Sequence, residues 1–328
     1  MRAYDWVQPP EIDETLAELG RGGMLVAGGT TVLDLLKLGH PMPTRLIDIS
    51  RLGYSSIEVS DQCVTLGAML SNADAARSQV VRERLPALSE AILSGASQQI
   101  RNAATIGGNI LQATRCVYFR NPRWMCNRRI PGAGCSAESA VQPGHAILGV
   151  TDRCMAVHPS DLSVALLAVD AVVVGRSSIG DFRIPISAFY RLPDDEGAKD
   201  TNLAGGSIIT AVDIPTTPVA SKSGYLKLRH RASYEFASAS VAAGLIVEDG
   251  FIRDISIALG GVATIPWRDR DAEHALIGKK LSATAIDEFC DRLLDGAVLN
   301  DPTAYKLALA RGGVHRLIKR LATEQDRS

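Results

Sequence analysis

Four of the six cysteines, Cys116, Cys126, Cys135 and Cys154, fall within residues 97–161. Thiolates are soft ligands suited to zinc or to an iron–sulfur centre. Their spacing is C-x9-C-x8-C-x18-C, without the C-x2-C knuckle of zinc ribbons and bacterial ferredoxins. Asn121-Pro122, Pro131-Gly132 and Pro143-Gly144 break the intervening chain into loops. Such a loop can still wrap a metal centre, because binding offsets part of the entropy of ordering it. On spacing alone, a metal or cluster, a disulfide pair and unrelated cysteines all stay open. Arg115, Arg120, Arg123, Arg128 and Arg129 crowd the first two cysteines, which is expected to lower the thiol pKa values and to offset a cluster's negative charge. His145 is either a ligand or a loop histidine.

Two glycine pairs are the next chemical signal. Ala27-Gly28-Gly29-Thr30-Thr31 lies between a strand-like Met24–Ala27 and the helical pattern VLDLLKLG; Thr105-Ile106-Gly107-Gly108-Asn109 repeats the device just before the cysteines. Glycine lets the main chain approach a ligand, and free amides in a helix's first turn suit a phosphate oxygen. One such turn is ordinary turn chemistry, whereas two can hold opposite sides of one pyrophosphate. His158-Pro159-Ser160-Asp161 offers polar contacts to a flavin or, on the plainer reading, caps a helix at Ser160 or Asp161. Lys227, Arg229 and Arg231 would share one side of a strand, as a solvated edge or as a grip on an anionic cofactor. There is no G-x-S-x-G, H-E-x-x-H or Walker sequence to support a hydrolase or nucleotidase.

These residues need a scaffold, and 328 residues suggest roughly two domains. A formal net charge of −1 provides no global attraction for nucleic acid, and no apolar run approaches a membrane span. The N-terminus carries no secretory signal of its own, so folding in the cytoplasm is expected. Apolar spacing predicts helices over 11–19, 32–39, 71–78 and 85–93, a strand over 45–49, and a hairpin from 56–59 and 63–68 in which Cys63 is a small buried hydrophobe. Leu162–Val174 reads as a helix feeding a strand, with further strands at 182–186 and 207–214 and a polar loop at 193–206. Pro215–Lys222 is the expected boundary between domains at 1–218 and 219–328. Beyond it come strands at 225–228 and 252–259, then helices at 285–294, 303–311 and 314–321.

The set AGGTT, RNAATIGGN, HPSD and KLRHRASYEFA resembles the FAD-binding subunits of the molybdenum hydroxylases, the xanthine dehydrogenase and carbon monoxide dehydrogenase family. The cysteine loop, inserted at 112–157, looks like that of the flavoprotein subunit of periplasmic-type aldehyde oxidoreductases, which carries FAD and a [4Fe–4S] cluster. The resemblance implies an α+β fold of the vanillyl-alcohol-oxidase (PCMH) type, two subdomains with the flavin between them, and a C-terminal α/β domain like that of the carbon monoxide dehydrogenase flavoprotein. It implies FAD contacts from Val26, Ala27, Gly28, Gly29, Thr30, Thr31, Val32, Leu33, Thr105, Gly107, Gly108, Asn109, Asp161 and Lys227, and cluster ligation by Cys116, Cys126, Cys135 and Cys154. Thr31 departs from the Asp or Asn common in relatives.

Also implied are a large subunit with a molybdenum cofactor, a small [2Fe–2S] subunit, and an external acceptor such as a ferredoxin, a cytochrome or oxygen. An aldehyde would be oxidised on the large subunit; no catalytic residue is expected in this chain. A hydroxybenzoyl-CoA reductase flavoprotein is the neighbouring reading, and a zinc-stabilised binding module without redox function is the one from another class. The resemblance also allows export to the periplasm on a partner's twin-arginine signal, beside a cytoplasmic location.

Overall fold

The computed structural model describes residues 3–40, 43–193 and 200–325. The first three strands, β1 (Asp5–Val7), β2 (Met24–Val26) and β3 (Arg45–Asp48), form a small parallel sheet in the order β1-β3-β2. Parallel neighbours need crossovers, supplied here by the helices Ile12–Gly20 and Val32–Lys37. The second sheet is antiparallel and runs β4-β5-β8-β6-β7, from β4 (Ile57–Val59), β5 (Cys63–Gly67), β6 (Val172–Ser177), β7 (Gly180–Pro185) and β8 (Ser207–Pro215). Helix Ile106–Ile110 packs on it, and Val64, Leu66, Ile106 and Val212 share a core with Leu88 and Leu166 of the helices Pro86–Ser94 and Asp161–Ala168.

A third sheet, β11-β10-β9, is built from β9 (Ser223–Leu228), β10 (Ala239–Glu248) and β11 (Phe251–Gly260). Helices Ala283–Leu293 and Tyr305–Gln325 bury Phe289, Val314, Leu317 and Leu321 with the sheet residues Val241, Leu245 and Ile257.

The predicted helices and strands are present, and short helices such as Gln79–Arg84, Gln98–Ala103 and Ile106–Ile110 add to them. The short β1 and the long β10 were not expected. The segments 303–311 and 314–321 belong to one continuous helix, Tyr305–Gln325. Cys63 is half-buried, with Sγ 3.9 Å from the Thr65 hydroxyl, and is not a core residue. Of the loop predicted at 193–206, residues 194–199 lie outside the described residues.

The segment 112–157 leaves the second sheet's helical layer and returns to it. Thr114 Oγ1 donates to the Val157 carbonyl at 3.1 Å and closes its base. Its later part docks on the third sheet's domain. Ile147 and Leu148 are buried there, the Ile147 N–H donates to Val262 O at 2.8 Å, and the Val298 N–H donates to Ile147 O at 2.7 Å.

Candidate functional site

The two glycine turns lie side by side. A Cβ on Gly28 would sit 1.7 Å from the Ala103 carbonyl oxygen, so only glycine lets this backbone meet the end of the helix Gln98–Ala103. Gly29 has φ +71°, which turns the chain into Val32–Lys37. Between the turns opens a cavity of about 360 Å³, lined by Ala27, Gly28, Gly29, Thr30, Thr31, Val32, Thr105, Gly107 and Gly108. Among the described residues, the amides of Thr30 and Thr31 have no hydrogen-bond acceptor and remain free for a ligand.

The second turn differs from the first. Its amides are already engaged: Ile106 N–H donates to Leu70 O, Gly107 N–H to Ala68 O, and Gly108 N–H to Thr105 Oγ1 at 3.1 Å. Thr105–Asn109 therefore supplies a wall, and the first turn supplies the amides. Asn109 Oδ1 accepts from Gln112 Nε2 and Ser160 Oγ, which leaves its NH₂ group to donate. Of the expected contacts, Val26 is buried in the first sheet's core and Leu33 is largely exposed; neither lines the cavity.

A second cavity, of about 590 Å³, shares Thr30, Thr31 and Gly108 with the first, so the two form one trough. At its far end the third sheet meets the helix Asp161–Ala168. Lys227 Nζ stands 2.7 Å from Asp161 Oδ2, and the Tyr225 hydroxyl donates to Asp161 Oδ1 at 2.6 Å. Burial, then the Asp161 carboxylate, push the Tyr225 phenol well above its usual range, so it stays a donor. Ser160 caps the helix by accepting the Ser163 N–H, as the plainer reading of HPSD expected, while Asp161 faces the trough. Arg229 is turned away onto the Ser94 and Ala232 carbonyls, so the basic cluster sends Lys227 and Arg231 into the trough.

The trough also holds residues that motif reading did not assign to it. Asn72, Arg115, Arg120 and Phe236 line it, with the Arg115 guanidinium 5.1 Å from the Phe236 ring centre. Asn72 Oδ1, Arg115 Nε and Arg120 Nη1 are buried without a partner. Orphaned polar atoms in a cavity are costly unless a ligand completes them. Free amides at one end, a polar wall midway and an aromatic ring with an ion pair at the other fit an extended dinucleotide with a planar head, as FAD has. Tyr225 and Lys227 could have been paired from sequence, since alternate residues on a strand share a face.

Beside this trough, Cys116, Cys126, Cys135 and Cys154 all line one small cavity with Tyr118, Phe119 and Arg128. Cys126 and Cys135 face each other across an isolated antiparallel bridge, and all six cysteines of the chain are unpaired thiols. Among the described residues no three acidic, His or Cys side chains converge closely enough for a single metal ion; the four thiols ring the cavity instead. Ala156 N–H points to Cys154 Sγ at 3.4 Å, and backbone N–H groups of Phe119 and Ala137 point to Cys116 and Cys135.

Burial raises the Cys116 thiol and pushes Cys135 up to about 11, opposite to the expected effect of the arginines. Most of those arginines act elsewhere. Arg115 and Arg120 pair with Asp34, Arg129 donates to the Tyr118, Phe119 and Trp124 carbonyls, and Arg123 is exposed. Of these five only Arg128 lines the thiol cavity, where Arg153 joins it, and Arg128 has Asp200 at 2.6 Å. His145 is buried; its Nδ1 accepts the Gln142 N–H at 3.0 Å and its Nε2 lies 3.5 Å from Cys116 Sγ. Burial, reinforced by Lys306, holds it neutral with a pKa of about 4.

The family described as the FAD binding domain in molybdopterin dehydrogenase matches residues 2–217, and the CO dehydrogenase flavoprotein C-terminal domain matches residues 224–321. The chain is 42% identical over 310 residues to the aldehyde oxidoreductase FAD-binding subunit PaoB of Escherichia coli (strain K12), covering 94% of each. It is 25% identical over 282 residues to the glyceraldehyde dehydrogenase medium chain of Sulfolobus acidocaldarius, covering 86% of this chain and 82% of that one. Carbon monoxide dehydrogenase from Hydrogenophaga pseudoflava, solved without the Mo-pyranopterin moiety of its molybdenum cofactor, superposes with a TM-score of 0.75 at 26% identity, over 97% of this chain and 96% of its own. The expected fold class and FAD as cofactor are those of this family, and no helix among the described residues is long and apolar enough to cross a membrane. The chain belongs to the FAD-binding subunits of the molybdenum hydroxylases.

Proposed function

We propose that this subunit carries a [4Fe–4S] cluster beside its FAD and serves as the electron-transfer subunit of a molybdenum-dependent aldehyde oxidoreductase. The observation that carries this reading is the ring of four thiols around one small cavity, of which Cys116 also lines a neighbouring cavity that shares Arg115, Asp161 and Phe236 with the flavin trough. Thiols spread around a cavity favour a polynuclear centre over a single zinc ion, whose thiolates would each lie about 2.3 Å from one point. The aldehyde assignment draws its support from the 42% identity to the Escherichia coli subunit.

When bound, FAD and the cluster supply storage and exchange of electrons. The residues of this chain position them. Thr30 and Thr31 offer amides to the diphosphate, Asp161 and Lys227 set charge at the flavin end, and Cys116, Cys126, Cys135 and Cys154 hold the cluster. Oxidation of the aldehyde belongs to a molybdenum-bearing partner, with a [2Fe–2S] subunit between them and an external acceptor completing the chain. Export of the folded complex on a partner's signal is the location we propose, read by cell fractionation.

The deciding experiment compares the wild-type complex with a Cys126→Ser variant by anaerobic absorbance, iron and acid-labile sulfide. Loss of about four iron per complex with the flavin retained supports the reading. Equal iron in both proteins refutes it.

A further inference from the structure

We propose that His145 is a positioning residue for the cluster, donating a hydrogen bond from Nε2–H to the Cys116 sulfur and thereby raising the cluster's reduction potential. This rests on the cluster reading above. Its basis is the ring's fixed tautomer. The Gln142 backbone N–H donates to Nδ1 at 3.0 Å, so Nδ1 must be the lone-pair nitrogen and the proton sits on Nε2. That nitrogen lies 3.5 Å from Cys116 Sγ, within reach of an N–H···S hydrogen bond.

The ring has little freedom to do anything else. It is 2% exposed, and it packs at 5.9 Å against the Tyr118 ring. Tyr118 is itself fixed by donating its hydroxyl to Ala140 O at 2.6 Å. The segment carrying His145 is anchored on the C-terminal domain through Ile147 and Leu148, and Tyr305 donates its hydroxyl to Pro143 O at 3.0 Å. The donor is thus held by the C-terminal domain, whereas Cys116 follows the FAD-binding domain's trough residue Arg115. Cys116 also faces the cavity that His145, His158 and Phe236 line beside the trough, so it is the ligand nearest the flavin end. A donor on a ligand sulfur withdraws charge from the cluster and favours its more negative, reduced form.

The test uses the assembled complex with His145→Leu, which removes the donor, and His145→Gln, which keeps an N–H at a similar reach. Iron and sulfide are measured first, then the cluster's potential by redox-titrated EPR, with the flavin potential as internal reference. Full iron in both variants, with a lower cluster potential in His145→Leu and a near wild-type value in His145→Gln, is the expected result. Loss of the cluster in His145→Leu and its retention in His145→Gln also requires the donor. An unchanged potential in iron-replete His145→Leu overturns the proposal, as does loss of iron from both variants. A wild-type complex without the extra iron would instead overturn the cluster reading itself, so the two failures are told apart.

Discussion

Gly108→Ala separates a residue kept for the ligand from one kept for the fold. A Cβ at Gly108 meets only Thr105 Oγ1, at 3.0 Å, and that hydroxyl can shift by a few tenths of an ångström. The position is inside the helix Ile106–Ile110, where alanine is favoured over glycine by roughly 0.5–1 kcal/mol. Stability should therefore change by less than about 1 kcal/mol. The new methyl, however, enters the trough where its two compartments join. A dinucleotide pushed off that wall loses about one hydrogen bond to its charged diphosphate, roughly 1.5–3 kcal/mol, or about 10- to 150-fold in affinity. Gly28→Ala is the contrast, since its Cβ would meet the immobile Ala103 carbonyl and overpacking costs about 1–3 kcal/mol or more. Fluorescence-monitored FAD titration of the deflavinated complex reads the affinity, and thermal unfolding reads the fold. Unchanged FAD affinity in Gly108→Ala, or a thermal midpoint lowered as far as in Gly28→Ala, would refute this account of the trough.

Two further outcomes follow from buried charge. Lys227→Met or Asp161→Asn alone should cost about 3–5 kcal/mol in urea unfolding of the deflavinated protein, because each strands a partner whose side chain is nearly inaccessible; the double variant should cost clearly less than the sum. Additive losses would mean that the pair is not coupled. His158, edge-on to Tyr190 at 4.4 Å, has its pKa lowered to about 3 by burial and then by Arg128. The unfolded chain therefore takes up the proton first, near pH 6.5, so stability is fully present above that value and is lost as pH falls towards 3. Between pH 7 and pH 5 the loss amounts to at most about 2 kcal/mol. His158→Asn should flatten that part of the pH–stability curve, and an unchanged slope would show that His158 does not titrate as described.

What the sequence made legible was local chemistry. A Gly-Gly pair between a strand and a helix specifies a turn wherever it occurs, and both turns were visible for that reason. Their difference in amide use was not, because Ile106 and Gly107 find their acceptors at Leu70 and Ala68, on a segment more than thirty residues earlier. The Asp161–Lys227 pair spans 66 positions and forms only when the third sheet docks on the helix Asp161–Ala168. Strand β10 was missed because its first seven residues are buried on both faces, which removes the alternation that marks a half-buried strand. The long C-terminal helix was read as two because Gly312-Gly313 resembles a stop. Packing overrides that signal: a Cβ on Gly313 would come within 3.0 Å of Val241, so glycine there admits the sheet closely.

On the proposed reading, the cysteine loop would add a second centre to this fold. Its base is tied at Thr114 and Val157, and Asn127 braces its interior by donating to Arg153 O at 3.1 Å and accepting the Gly134 N–H at 2.8 Å. Ile147 and Leu148 then anchor its return path in a core belonging to the C-terminal domain. Much of the loop is thus ordered by hydrogen bonds and apolar burial that need no metal. Less entropy remains to be offset when a centre binds than in a small metal-folded domain, where binding and folding are one event. Loss of iron from Cys126→Ser should accordingly leave the flavin trough formed.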